Sequence, residues 1–231
     1  MVRREFLHFG AAAIGAFVTV ACTNTDGTVV DGGRGQDDER SWRMPEEGDP
    51  HKRTWMAFGA SEAIWGAALL PEVRRNLAGI ARTIAQFEPV SMLVRSEDRE
   101  LARGLVGPSD ELIEAPLDDL WMRDTGPVFV KGNGTKAGVG FDFNGWGKKQ
   151  EYDQGAGVGD FVAGRAGVES LPTDLVLEGG GIEVDGEGTA LITESCVLNK
   201  NRNPGWSKAD VEAELGPLLG LDKIIWLPGI K

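Results

Sequence analysis

The sequence predicts an α/β fold in which strand-strand-helix-strand units repeat around an axis, and three observations carry that expectation. Glycine supplies 33 of 231 residues, about twice ordinary usage, so turns and close backbone approaches are frequent. Between the glycines lie Val-, Ile- and Leu-rich runs of strand length, which favour many short strands over a helical bundle. Two hairpin-like stretches, opening at Val128 and Ile182 and therefore 54 residues apart, are each followed by a helical segment and another apolar run. Such units cannot bury both faces alone and need neighbours.

Three regions divide the chain. Residues 1–21 have the layout of an export signal: Arg3-Arg4-Glu5-Phe6-Leu7 and the apolar run Phe9–Ala21, too short to span a bilayer comfortably. Val20-Ala21-Cys22 resembles a bacterial lipoprotein cleavage site, where Cys22 would take a diacylglycerol, although Thr19 replaces the usual Leu. The expected address is export, to the periplasm or to a membrane tether through Cys22. Residues 22–43 are polar, rich in Gly and Asp and without periodicity, as in a flexible tether. Residues 44–231 form the folded domain.

Its elements follow in order. Arg53–Phe58 is a first strand. From Pro71 to Phe87 the apolar positions Val73, Leu77, Ile80, Ile84 and Phe87 recur at helical spacing, with Pro71 at the first helical position. Val90–Val94 is a buried strand, and Glu97–Val106 a short helix capped by Ser96. Val128–Val130, a K-G-N-G-T-K turn and Ala137–Phe143 make a hairpin; Gly157–Gly167 is helical; Leu175–Leu177 is a strand running into Glu178-Gly179-Gly180. Ile182–Val184, a D-G-E-G turn and Thr189–Thr193 make the second hairpin. A helix starts at Ser207, whose S-K-A-D is a capping box with Asp in place of Glu, and buries Val211, Leu215 and Leu218. Ile224–Leu227 closes the unit.

The formal charge of −12 repels phosphate backbones, so a nucleic-acid partner is excluded; a cationic ligand is compatible, as is acidity for solubility alone. With Cys22 lipidated, Cys196 is the remaining thiol and no internal disulfide forms. His8 falls in the signal, which leaves His51.

Asp124 stands between the apolar, aromatic Leu120-Trp121-Met122 and a Thr-Gly-Pro turn. Either it caps that turn through its own backbone or it is a presented reacting group. Asp124 and Glu178 close successive units, so a rotational repeat brings both to one central mouth. Two converging carboxylates grip a planar cation through paired N–H···O bonds. The same pair also suits a glycosidase acid and base, or two ligands of a hard metal, but no third and fourth metal ligands lie at suitable spacing.

Five stretches carry a family resemblance: M-P-E-E-G-D-P-H-K-R-T-W-M-A (44–57), D-D-L-W-M-R-D-T-G-P-V-F-V (118–130), F-N-G-W-G-K (143–148), L-E-G-G-G-I-E-V-D-G-E-G-T (177–189) and T-E-S-C-V-L-N-K-N-R-N-P (193–204). In this order they resemble the agmatine deiminase family, grouped with bacterial-type peptidylarginine deiminases among guanidine-modifying enzymes. The resemblance implies a pseudo-fivefold α/β propeller and a cofactor-free hydrolase acting on C–N bonds of amidines. Its substrate is agmatine, a small guanidinium cation, and its products, N-carbamoylputrescine and ammonia, feed polyamine synthesis. Peptidyl-arginine or free arginine is the alternative substrate, and a non-catalytic, lipid-anchored module binding a guanidinium ligand the alternative role.

The implied mechanism is covalent: a cysteine thiolate attacks the guanidinium carbon, ammonia leaves, and water hydrolyses the thiouronium. By motif position Asp124 binds the guanidinium, Glu178 binds it or orients the histidine, and Trp121 packs on the substrate, ordinary core packing being the alternative for Trp121. Arg123 anchors the loop. The family's catalytic Gly-His-Ile/Val-Asp motif and nucleophilic cysteine lie beyond its W-L-P-G strand, whereas this sequence ends at Ile230-Lys231. The expectation is a C-terminally shortened chain whose propeller lacks its last units. Cys196 is then expected to be a small buried apolar residue, and His51 a structural or rim residue.

Overall fold

The computed structural model describes residues 42–107 and 111–229; the expected export signal, Cys22 and most of the expected tether lie outside them. The described elements run β1 (Thr54–Phe58), α1 (Glu62–Ile84), β2 (Val90–Val94), α2 (Arg99–Val106), β3 (Glu111–Glu114) and α3 (Met122–Thr125), then β4 (Val128–Gly132), β5 (Thr135–Gly140), α4 (Gly145–Lys148), α5 (Val158–Ala166) and β6 (Glu169–Pro172), and finally β7 (Ile182–Val184), β8 (Thr189–Thr193), α6 (Glu194–Val197), α7 (Lys208–Leu219) and β9 (Lys223–Leu227). They form a mixed α/β fold with three three-stranded sheets, ordered β1-β2-β3, β4-β5-β6 and β7-β8-β9.

The second and third sheets repeat one plan. Each opens with an antiparallel hairpin, Val128 opposite Val139 and Ile182 opposite Ile192, and adds a third strand parallel to the second. Val128, Thr135 and Glu169 begin one set of strands and Ile182, Thr189 and Lys223 the other, an offset of 54 residues each time. Asp124 and Glu178 are related by the same offset. The first sheet departs from the plan: its strands are all parallel, joined through α1 and α2, with no hairpin.

Alternating side chains place apolar residues on both faces of the inner strands. On one face of the first sheet Phe58, Val90, Met92, Val94 and Leu112 pack with Leu77, Ala78 and Ala81 of α1 and with Ala102 and Val106 of α2. On the other, Ala57, Leu93 and Ile113 pack with Val158 and Val162 of α5. A third core joins Val128, Val130, Ala137 and Val139 of the second sheet to Ile182, Ala190 and Ile192 of the third, with Val211, Leu215 and Leu219 of α7. Helices α5 and α7 thus each share a core with the sheet that precedes their own unit.

Several elements differ from the sequence expectation. Helix α1 begins at Glu62 rather than Pro71, breaks at Gly66 (φ 70°) and carries Pro71 inside its second segment. Its buried positions are Leu77, Ala78 and Ala81, while Ile80 is 51% and Phe87 85% exposed. The small alanines let the helix approach the sheet, and that close contact outweighs the larger side chains of the 73–87 stripe. Ser96 does not cap α2; it opens a short 3-10 turn, Ser96–Asp98. Leu175–Leu177 is buried but lies outside the three sheets, the third strand being Glu169–Pro172. Asn203 serves the backbone of that stretch instead, donating to the Val176 carbonyl and accepting from the Val176 N–H.

The capping box of α7 forms as expected. Ser207 Oγ accepts from the Asp210 N–H at 3.3 Å, and the Asp210 carboxylate accepts from the Ser207 N–H at 2.7 Å. These Ser207 bonds lower the Asp210 pKa, so their contribution is present above the unfolded value and fades as pH falls through the folded one. Substituting Ser207→Ala should cost about 1 kcal/mol in urea unfolding at neutral pH, with the difference from wild type shrinking in acid.

Candidate functional site

The site lies where the loop before β7 rests on the turn before β4. Leu120–Thr125 leaves the first sheet, makes one helical turn and delivers Asp124, whose N–H donates to the Trp121 carbonyl at 3.0 Å. Its carboxylate does not cap its own backbone. Asp124 Oδ2 accepts from the Trp146 indole N–H at 3.1 Å. Glu178, 54 residues later, begins the Glu-Gly-Gly-Gly loop. A Cβ on Gly180 would sit 2.3 Å from Asp124 Oδ1, and one on Gly179 2.6 Å from the Arg123 carbonyl oxygen. Only glycine lets the two loops approach this closely.

The carboxylates are held differently. Glu178 is buried, and its Oε1 accepts from Arg202 Nε at 2.9 Å, with both side chains less than a tenth exposed. Burial raises the Glu178 pKa, the Arg202 bond and charge pull it back, and the negative charge of Asp124 pushes it up again. Among the described residues Asp124 has no cationic partner; its bond comes from a neutral indole.

Aromatic rings wall the site. Trp121 is 43% exposed, so ordinary core packing is not its role. It stacks on Trp65 (centroids 6.2 Å, 30°) and meets Trp146 edge-on at 6.4 Å. Asp119 fixes the first pair by accepting from Trp65 Nε1 at 2.8 Å and Trp121 Nε1 at 3.0 Å. Trp146 also packs edge-on against Phe143 at 5.0 Å. An exposed indole held by a carboxylate is a prepared flat face, suited to a delocalised cation.

Trp146 stands in an unusual backbone. Gly145, Trp146, Gly147 and Lys148 have φ values of 68°, 57°, 83° and 62°, a left-handed turn that costs roughly 1–2 kcal/mol at each non-glycine position. Asn144 and Asn201 enforce it. Asn144 Oδ1 accepts from the Gly147 N–H at 2.8 Å, Asn144 Nδ2 donates to the Asn201 carbonyl at 2.9 Å, and Asn201 Nδ2 donates to the Gly147 carbonyl at 3.0 Å.

Arg123 donates to Glu47 at 2.6 Å, an anchoring contact. His51 pairs with Glu88, which also accepts from Thr54, at an exposed corner. Cys196 packs against the core of the second and third sheets. His51 and Cys196 share no partner with each other or with Asp124 among the described residues. Sequence reasoning missed Arg202, Trp146, Asp119 and Trp65. The visible signals were the second Asp of Asp118-Asp119 and a Trp between two glycines after Asn144; the N-R-N-P arginine had none.

Gly180→Ala should keep the fold yet displace the Asp124 carboxylate. The expected result is a disturbed Trp146–Asp124 hydrogen bond, read as a shifted Trp146 Nε1–H resonance, with an unchanged far-ultraviolet spectrum.

A family model described as Porphyromonas-type peptidyl-arginine deiminase matches residues 43–231. A Streptomyces coelicolor protein provisionally named an agmatine deiminase is 45% identical over 192 residues, covering 81% of this chain and 57% of that protein. The agmatine deiminase of Ectopseudomonas mendocina is 40% identical over 198 residues, covering 81% of this chain and 53% of that protein. The solved agmatine deiminase of Enterococcus faecalis superposes with a TM-score of 0.77 at 34% identity, covering 81% of this chain and 53% of the other. This chain thus spans about half the length of the relatives it matches. A match through every described element, over a site built from the quoted motifs, fixes the family: the chain belongs to the Porphyromonas-type peptidyl-arginine deiminases.

Proposed function

We propose that this chain carries the cation-binding half of a guanidine hydrolase of the agmatine deiminase type, which converts agmatine and water to N-carbamoylputrescine and ammonia. One observation carries the reading: Asp124 and Glu178 stand at equivalent places in successive units, the loop that Glu178 opens packs its Gly180 against the Asp124 carboxylate beside the exposed Trp121 indole, and Asp124 has no cationic partner among the described residues. A guanidinium is a poor electrophile because its charge is delocalised. A carboxylate clamp and a flat aromatic wall orient its carbon for attack. Glu178, committed to Arg202, shapes the field of the site, and Asp124 takes the ligand's N–H groups. Trp121 supplies the stacking face.

The hydrolytic step needs a thiolate to attack the carbon and an imidazole to protonate the departing nitrogen and then activate water. Cys196, partly buried against the core, and His51, paired with Glu88 at an exposed corner, share no partner with Asp124 among the described residues and are assigned neither role. The 231-residue chain is therefore expected to bind agmatine without turning it over. Incubation with agmatine should release no N-carbamoylputrescine above a heat-killed control; product in excess of that control would overturn this division of labour. The family description keeps peptidyl-arginine as the rival ligand, and competition between agmatine and an N-acyl-arginine amide separates the two. The three sheets are proposed to be successive blades of a pseudo-fivefold propeller. Export, with Cys22 lipidated, is proposed from the Arg3-Arg4 signal, and labelling by a radioactive fatty acid, absent in Cys22→Ser, tests the lipid.

A further inference from the structure

We propose that Trp146 is a positioning residue whose indole N–H sets the orientation in which Asp124 receives the ligand, an inference that rests on the guanidinium-binding reading above. Four successive left-handed residues, one of them a tryptophan, are a conformation that L side chains rarely adopt. Strain of this kind persists only where the surroundings over-determine it. Here the Asn144 and Asn201 amides bracket the turn through three hydrogen bonds. A Cβ on Gly145 would lie 2.4 Å from the Gln150 carbonyl oxygen, and one on Gly147 2.0 Å from Asn201 Nδ2. The strained segment delivers one polar contact to another loop's functional side chain, the bond from Trp146 Nε1 to Asp124 Oδ2.

The chemistry of that donor matters. The equivalent carboxylate in the next unit, Glu178, is held by the Arg202 guanidinium, which fixes it and also occupies it with the kind of group a ligand would bring. Asp124 is fixed instead by a donor that is neutral and does not titrate, so its orientation is set while its negative charge stays available. With Oδ2 engaged and the Gly180 backbone close to Oδ1, the directions from which a planar cation can enter are restricted. The Trp146 ring is itself held edge-on to both Trp121 and Phe143.

Trp146→Phe in the 231-residue chain keeps the ring and removes the N–H. Agmatine affinity is measured by calorimetry in wild type, W146F, D124N and the double variant, with thermal melts as the check on folding. The expected result is an affinity loss of about tenfold in W146F and a much smaller further loss when the same change is made in D124N. Equal losses in both backgrounds, or none in W146F, would overturn the positioning role while leaving guanidinium binding in place. Failure of wild type to bind agmatine would instead sink the guanidinium reading and this inference with it. If W146F does not fold, the Trp146 Nε1–H resonance in nitrogen-15-labelled protein decides. It should move when agmatine is added to wild type and differ between wild type and D124N; a resonance unmoved in both comparisons overturns the proposal.

Discussion

Replacing Arg202 with methionine should destabilise the fold by about 3–5 kcal/mol at neutral pH, because it strands an ionised carboxylate in a site with almost no solvent. Glu178 and Arg202 are each less than a tenth exposed at the side chain and joined at 2.9 Å. The Glu178 carboxyl already titrates above its ordinary 4.5 because burial outweighs the pull of Arg202. A carboxyl whose folded pKa exceeds the unfolded one costs stability when ionised, and stability returns as pH falls through the folded value. Removing Arg202 deletes its hydrogen bond and its charge, the two larger of three downward influences, so the folded pKa climbs further and the penalty at neutral pH grows. Chemical denaturation of R202M against wild type should therefore show a large deficit at neutral pH that narrows as pH falls through the raised Glu178 value. Glu178→Gln added to R202M should recover much of the loss, since a neutral amide needs no cation. A deficit independent of pH would mean that lost packing around the arginine stem, rather than the stranded charge, dominates.

The second large effect is expected at Asp124. Asp124→Asn is nearly isosteric, and the asparagine oxygen still accepts from the Trp146 indole, so the fold should be little changed. The charge is gone, however, and an amide presents one acceptor where the carboxylate presents two. Affinity for a guanidinium ligand should fall by about a hundredfold. The salt dependence of binding should weaken as well, because the full charge of an only partly buried group is felt in solution. Asp118 is the control. It accepts from the Gln154 and Gly155 N–H groups at 2.8 Å, so Asp118→Asn should affect that loop and not ligand charge recognition.

Much of this was legible locally. The 54-residue repeat, both hairpins, helix α5 and the capping box of α7 are written in short-range patterns: turn glycines, strand alternation, and Ser-x-x-Asp before an apolar stripe. Strand β6 was hidden because Glu169-Ser-Leu-Pro is polar and short, while the neighbouring Leu175-Val-Leu has the composition of a strand but finds its backbone partner in Asn203. The face of α1 was read in part: Val73, Leu77 and Ile84 pack on the sheet as expected, whereas Ile80 and Phe87 are exposed and Ala78 and Ala81, which contribute little to an apolar stripe, are buried in their place. In the site, Asp124, Glu178 and Trp121 stood out by their neighbours in sequence. Arg202 and Trp146 are 24 and 22 residues from the carboxylates they hold. Only the tertiary fold brings them there, and the left-handed turn that aims Trp146 comes from two asparagines 57 residues apart.

The central claim, that these residues recognise a guanidinium, is tested most directly by titrating the 231-residue chain with agmatine and with a diamine of matching length that lacks the guanidine carbon. Planar, bidentate recognition predicts saturable one-site binding of agmatine, tighter than the diamine by about tenfold or more, and about a hundredfold weaker for agmatine in D124N. Equal binding of the two cations, or agmatine affinity unchanged in D124N, would contradict it.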